Sequence, residues 1–101
     1  MAEEVEMAVR IPAWVREEAS EETIILDWSI ALALRKMQEY ARQAEVYERR
    51  YNTTFGEFAR RVMASGTENL DEWDDYVVWQ GLHLAAEKWR KRYEELRACM
   101  R

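Results

Sequence analysis

The side chains able to do chemistry are few. The chain has one histidine, His83, and one cysteine, Cys99, and no serine is flanked by glycines. A Ser-His-acid or Cys-His arrangement therefore lacks its parts. Zinc sites need Cys-x-x-Cys or paired histidines, and di-iron bundles need Glu-x-x-His on facing helices; neither pattern occurs. No glycine-rich loop is present to cradle a phosphate. What remains is carboxylate. Glu45-x-x-Glu48 and Glu72-x-x-Asp75 are separated by 23 residues. Two such pairs on facing helices could hold a hard cation such as Mg²⁺ through oxygen ligands. Acids are common on helices, so the expectation is a chain without cofactor, metal or catalytic residue.

A second cluster suggests binding rather than catalysis. Glu68, Asp71, Glu72, Asp74 and Asp75 interleave with Trp73, Tyr76 and Trp79. Acids at a helix start favour the dipole, and aromatics with a polar rim favour protein recognition. The expected partner-binding set is Glu68, Asp71, Glu72, Trp73, Asp75, Tyr76, Trp79 and His83. His83, one turn beyond Trp79 on the same helix, reads as a structural or interface residue.

The frame that must position these residues is small. The sequence has 101 residues with 15 Lys plus Arg against 20 Asp plus Glu, a net charge of -5, 3 Gly and 1 Pro. This suits one helical domain over 1–101 and argues against disorder. One cysteine gives no internal disulfide. The N-terminus is acidic where a signal peptide is basic, and no apolar run approaches a membrane span, so the expected location is the cytoplasm. Charge alternates along the chain: net -6 over 1–27, +3 over 28–66, -5 over 67–76 and +3 over 77–101. An acidic total disfavours non-specific nucleic-acid binding. The basic run Lys88-Trp89-Arg90-Lys91-Arg92 reads as the solvated side of a helix.

The expected fold is mostly α: a long antiparallel helical hairpin with a short connecting helix and one N-terminal β-strand. Val5, Met7, Val9 and Ile11 alternate with polar or small residues before Pro12, so 1–12 forms a strand arm that must pair with another molecule. A short helical turn follows around Trp14 to Ala19. Ser20 caps the first long helix, 20–51, whose seam is Thr23, Ile30, Met37, Ala44 and Tyr51 with Leu26, Ala33, Tyr40 and Tyr47. Its first half is apolar nearly all round, and Ile25, Trp28 and Leu32, with Val5, Met7 and Val9, are the expected self-association residues of a homo-oligomer. Asn52-Thr53 ends that helix, and Thr54-x-x-Glu57 opens a short one, 54–64. Asn69-x-x-Glu72 opens the second long helix, 69–99, with an expected core stripe of Val78, Leu82, Ala85, Trp89, Tyr93, Leu96 and Met100.

Two resemblances bear on function. The stretch Tyr47-Glu-Arg-Arg-Tyr51-Asn-Thr-Thr-Phe55-Gly-Glu-Phe58, followed by Glu72-Trp-Asp-Asp-Tyr76-Val-Val-Trp79, resembles small archaeal and bacterial helical antitoxin-like proteins of type II toxin-antitoxin pairs. The likeness spans 28–98, with Asn52 where that group has Gly and Gly56 where it has an acid. It implies a non-catalytic protein that binds and neutralises a cognate toxin, often a ribonuclease, with repression of its own operon as a further implied role; contact with nucleic acid is expected only through a complex. The carboxylate pairs also resemble those of all-α MazG-like nucleoside-triphosphate pyrophosphatases, which implies Mg²⁺-dependent hydrolysis as the alternative. The strand-then-helix start is similar to ribbon-helix-helix repressors, but Glu4 and Glu6 on its outer face would repel DNA.

Overall fold

A computed structural model describes residues 10–65 and 69–100 of the chain. Four helices account for most of them: α1 (Ala13–Glu18), α2 (Glu21–Tyr51), α3 (Phe55–Ser65) and α4 (Leu70–Ala98). None of the described residues lies in a strand. The expected strand, with Val5, Met7 and Val9, falls outside the described residues. Its last two positions, Arg10 and Ile11, carry no strand pairing.

The helix ends follow the side chains that cap them. Ser20 Oγ accepts the Thr23 amide at 3.1 Å, and Glu21 and Glu22 occupy the dipole-favoured first turn of α2. Asn52 stops α2 in the left-handed conformation, at φ 51°, a geometry that asparagine tolerates better than other non-glycine residues. Thr54 Oγ1 accepts the Glu57 amide at 3.3 Å to start α3, and Asn69 Oδ1 accepts the Glu72 amide at 3.2 Å to start α4.

The two long helices pack against each other over most of their length, with α3 laid against α4 near the turn. Ala33, at the centre of the expected α2 seam, is fully buried. On α4 the lower half of the expected stripe also faces inward: Leu82, Trp89, Tyr93 and Leu96 are all partly covered. The upper half is rotated. Val78 is 50% exposed, whereas Trp79 is 1% and Tyr76 8% exposed. The cause is α3, which brings Phe58 and Val62 to one side of α4 and draws the larger aromatic surface of Trp79 and Tyr76 towards itself. The inward line of α4 is thus Asp75, Trp79, Leu82, Ala86, Trp89, Tyr93 and Leu96, itself a heptad progression.

The core is correspondingly local. Phe58, Val62, Tyr76 and Trp79 form the buried cluster, flanked by Ala44, Tyr47, Tyr51, Phe55 and Ala59. The molecule measures 60 × 37 × 20 Å. Its radius of gyration is 20.1 Å, against about 13 Å for a compact chain of this length. No helix among the described residues is long and apolar enough to cross a membrane.

With so few buried side chains, deleting one of them is costly. Phe58→Ala and Trp79→Ala should each lower unfolding free energy by about 3–5 kcal/mol in urea titrations, whereas Met63→Ala, at a 57% exposed position of the same hairpin, should change it by less than about 0.5 kcal/mol.

Candidate interaction surface

Two of the four carboxylates that could hold a cation, Asp75 and Glu45, are engaged by other groups. Asp75 projects from α4 into the seam, where its Oδ2 accepts from Arg50 Nη1 at 2.7 Å and from the Tyr51 hydroxyl at 2.5 Å. Glu45 pairs with Arg49 at 2.8 Å, within α2. Among the described residues no three His, Cys, Asp or Glu side chains gather as metal ligands would. The four acids Glu45, Glu48, Glu72 and Asp75 are therefore not assembled into one oxygen cage, and Glu72 serves the first turn of α4.

The Arg50–Asp75–Tyr51 clamp has its own electrostatics. Burial pushes the Tyr51 hydroxyl up to about 12, and its bond to the Asp75 carboxylate adds to the effect. For Asp75 burial acts to raise the pKa, but hydrogen bonds from Tyr51 and Arg50 outweigh it and hold the carboxyl below its ordinary value. Arg50 also lies over the Tyr47 ring at 5.3 Å, and Arg61 covers Tyr51 and Phe58 at 5.6 and 5.2 Å. These guanidinium groups seal the aromatic cluster from water.

The expected partner-binding residues divide into two sets. Trp79 and Tyr76 point inward. Trp79 contacts the rings of Tyr47, Tyr51, Phe55 and Phe58 at centroid distances of 5.8, 6.3, 5.6 and 5.2 Å. Tyr76 packs on Phe55 and accepts a hydrogen bond from Gln80. Asp75 is committed to the clamp. Glu68 lies outside the described residues. Asp71, Trp73 and His83 are exposed and Glu72 is half-buried; the His83 ring stacks on Phe55 at 4.8 Å.

The accessible apolar surface at this end is a different one. Leu70, Trp73, Val77 and Leu84 are 74, 37, 48 and 60% exposed. At 100° per residue they fall within a single stripe on the side of α4 turned away from α2. Leu70, Val77 and Leu84 were missed as site residues, although their seven-residue spacing is visible in the sequence. At the other end of the hairpin Ile25 and Trp28 are 63 and 62% exposed and Leu32 is partly covered, which leaves these expected self-association residues on the surface.

Comparison with known proteins returns no matching family model, no matching curated protein and no matching solved structure.

The clamp gives a pH signature. A hydroxyl whose pKa is higher folded than unfolded stabilises the fold fully below its ordinary value, near 10, and that contribution is lost as pH rises towards about 12. Stability should therefore fall across this alkaline window, and Tyr51→Phe should flatten the fall. Asp75 works in the opposite sense: its contribution is present above its ordinary carboxyl range and lost as pH drops through the lowered folded value. Asp75→Asn should remove that part of the acid destabilisation. Unfolding free energies measured from pH 2 to 12 on the three proteins check both signs.

Proposed function

We propose that this chain is a non-catalytic protein-binding module that acts as an antitoxin, capturing and neutralising a cognate toxin. The observation that carries the reading is the exposed stripe Leu70–Trp73–Val77–Leu84, bordered by Asp71 and Asp74. Scattered apolar residues on a surface are ordinary, but an aligned stripe of this kind with an aromatic member suits protein recognition. The acidic border suits a partner with a basic contact surface, as an RNA-cleaving enzyme has where it meets its substrate. The antitoxin-like sequence pattern supplies the second support. Asn52, which departs from that pattern, adopts the left-handed turn that glycine would otherwise serve.

On this reading Trp73 is the central anchor and Asp71, Glu72 and Asp74 steer the encounter. Tyr76 and Trp79 act indirectly, by holding α4 against α2 and α3.

Co-expression with the product of the adjacent gene should yield a complex that survives size exclusion. Trp73→Ala should weaken that complex by at least about tenfold, a hot-spot loss above about 1.4 kcal/mol, while leaving the thermal midpoint of the free chain nearly unchanged. A chain that neither co-purifies with nor inhibits a neighbouring gene product would sink the proposal.

A further inference from the structure

Helix α4 has an outward arc that lies away from both of its neighbours. α2 packs along the Trp79, Leu82 and Trp89 side, and α3 covers the next flank by laying Phe55 on Tyr76 and His83. At 100° per residue Asp74, Val77, Gly81, Leu84 and Lys88 fall on the opposite side, within an arc of about 80°. All five are exposed. α1 sits elsewhere, where Val15 and Arg16 line a groove with Ile24 and Ile25 of α2.

The arc is symmetric about its centre, with the charges reversed. No Asp, Glu, Lys or Arg occurs from Tyr76 to Ala86, and Gly81 is the midpoint of that stretch. Asp74 stands seven residues before Gly81 and Lys88 seven after it; Val77 stands four before and Leu84 three after. Among the described residues neither Asp74 nor Lys88 forms an ion pair. An order of acid, apolar, glycine, apolar, base is self-complementary. That is what a two-fold contact requires, because there residue i of one copy meets j of the other and j meets i.

We propose that a second copy of this chain covers the arc, α4 against α4 and antiparallel, with the two-fold axis passing Gly81. Asp74 of each copy then stands level with Lys88 of the other, and Val77 with Leu84. The Trp73 ring comes beside Lys91 of the other copy, a cation over an aromatic face. A parallel pair would set Asp74 against Asp74 and Lys88 against Lys88, so the charges select the antiparallel arrangement.

Glycine suits the crossing point. A Cβ at Gly81 would meet nothing within 4 Å in the single chain. Packing inside the hairpin therefore does not account for the poorest helix former after proline at the middle of α4. Where two helices cross, a bare backbone lets them approach at the close end of the usual separation of about 8–10 Å. The pairing itself is independent of the antitoxin reading, but one consequence rests on it. Val77 and Leu84 also belong to the stripe assigned to the toxin, so the second copy covers that stripe in the free chain and a toxin must displace it.

The test uses the full chain alone. Sedimentation equilibrium at ~100 μM should give twice the 12.1 kDa chain mass. In a Cys99→Ser background, Gly81→Cys should form a disulfide-linked dimer in air, because facing Cα atoms at the crossing come within the roughly 4.4–6.8 Å that a disulfide spans. Asp74→Cys should not, since its two copies stand about 21 Å apart along the helix axis. Asp74→Lys and Lys88→Glu should each raise the dissociation constant by at least about tenfold, and the double variant should recover most of that loss, all with helical circular dichroism unchanged. A chain of single mass at ~100 μM overturns the proposal, as does cross-linking through Asp74→Cys to the extent seen through Gly81→Cys. Either result leaves the antitoxin reading standing, whereas a dimer that meets no toxin supports the pairing and sinks that reading alone. A toxin that binds the cross-linked Gly81→Cys dimer as tightly as the uncross-linked chain overturns the displacement.

Discussion

The burial of one indole holds the rest together. Trp79 receives α2 through Tyr47 and Tyr51 and α3 through Phe55 and Phe58. A fully buried tryptophan removes about 150–250 Å² from water, worth roughly 4–6 kcal/mol at 25 cal/mol/Å². That is comparable to the whole stability of a small domain. Few other side chains are so enclosed: Ala33, Phe58 and Val62 are the only described residues besides Trp79 at 2% exposure or less. The position of α3, the rotation of the upper half of α4 and the exposure of Val78 all follow from satisfying this ring.

A polar clamp complements that apolar anchor. Asp75 stands one turn before Trp79 in the inward heptad line, where an apolar residue would ordinarily sit. It is tolerated because Arg50 and Tyr51 both donate to it from the end of α2. Aromatic packing is permissive about sliding, whereas a carboxylate held by two donors is not. The half-buried clamp thus ties the end of α2 to the start of α4 in one relative position.

Much of this fold was legible in the sequence. Ser20, Asn52, Thr54 and Asn69 marked helix boundaries because capping depends on local chemistry that a sequence displays directly. The α2 seam was legible because one heptad pattern ran unbroken from Thr23 to Tyr51. The upper half of α4 was not. There apolar residues surround the helix, so periodicity offers several faces and only the placement of α3 chooses between them. Trp79 and Tyr76 consequently looked like recognition residues when they are core, and Leu70, Val77 and Leu84 were overlooked. The Asp75 clamp was hidden for a related reason: its three members come from opposite ends of a loop that sequence spacing alone does not close.

Charge alternation acquires a physical meaning once the chain is folded back. The antiparallel hairpin sets the basic block 28–66 beside the acidic block 67–76, and the acidic start beside the basic end. Opposite blocks are thus neighbours within one molecule, which favours the observed topology over a parallel one. Yet little of this charge is consumed in bonds between the long helices. Among the described residues the α2–α4 ion pair is Arg50–Asp75, while Lys36–Glu39, Arg49–Glu45, Arg60–Glu57 and the Arg90 pairs lie within single helices. Exposed pairs of that kind add little stability. What holds the long helices together is accordingly the aromatic cluster around Trp79 and the Asp75 clamp, while the charge blocks meet as mixed acidic and basic surface at both ends of the hairpin.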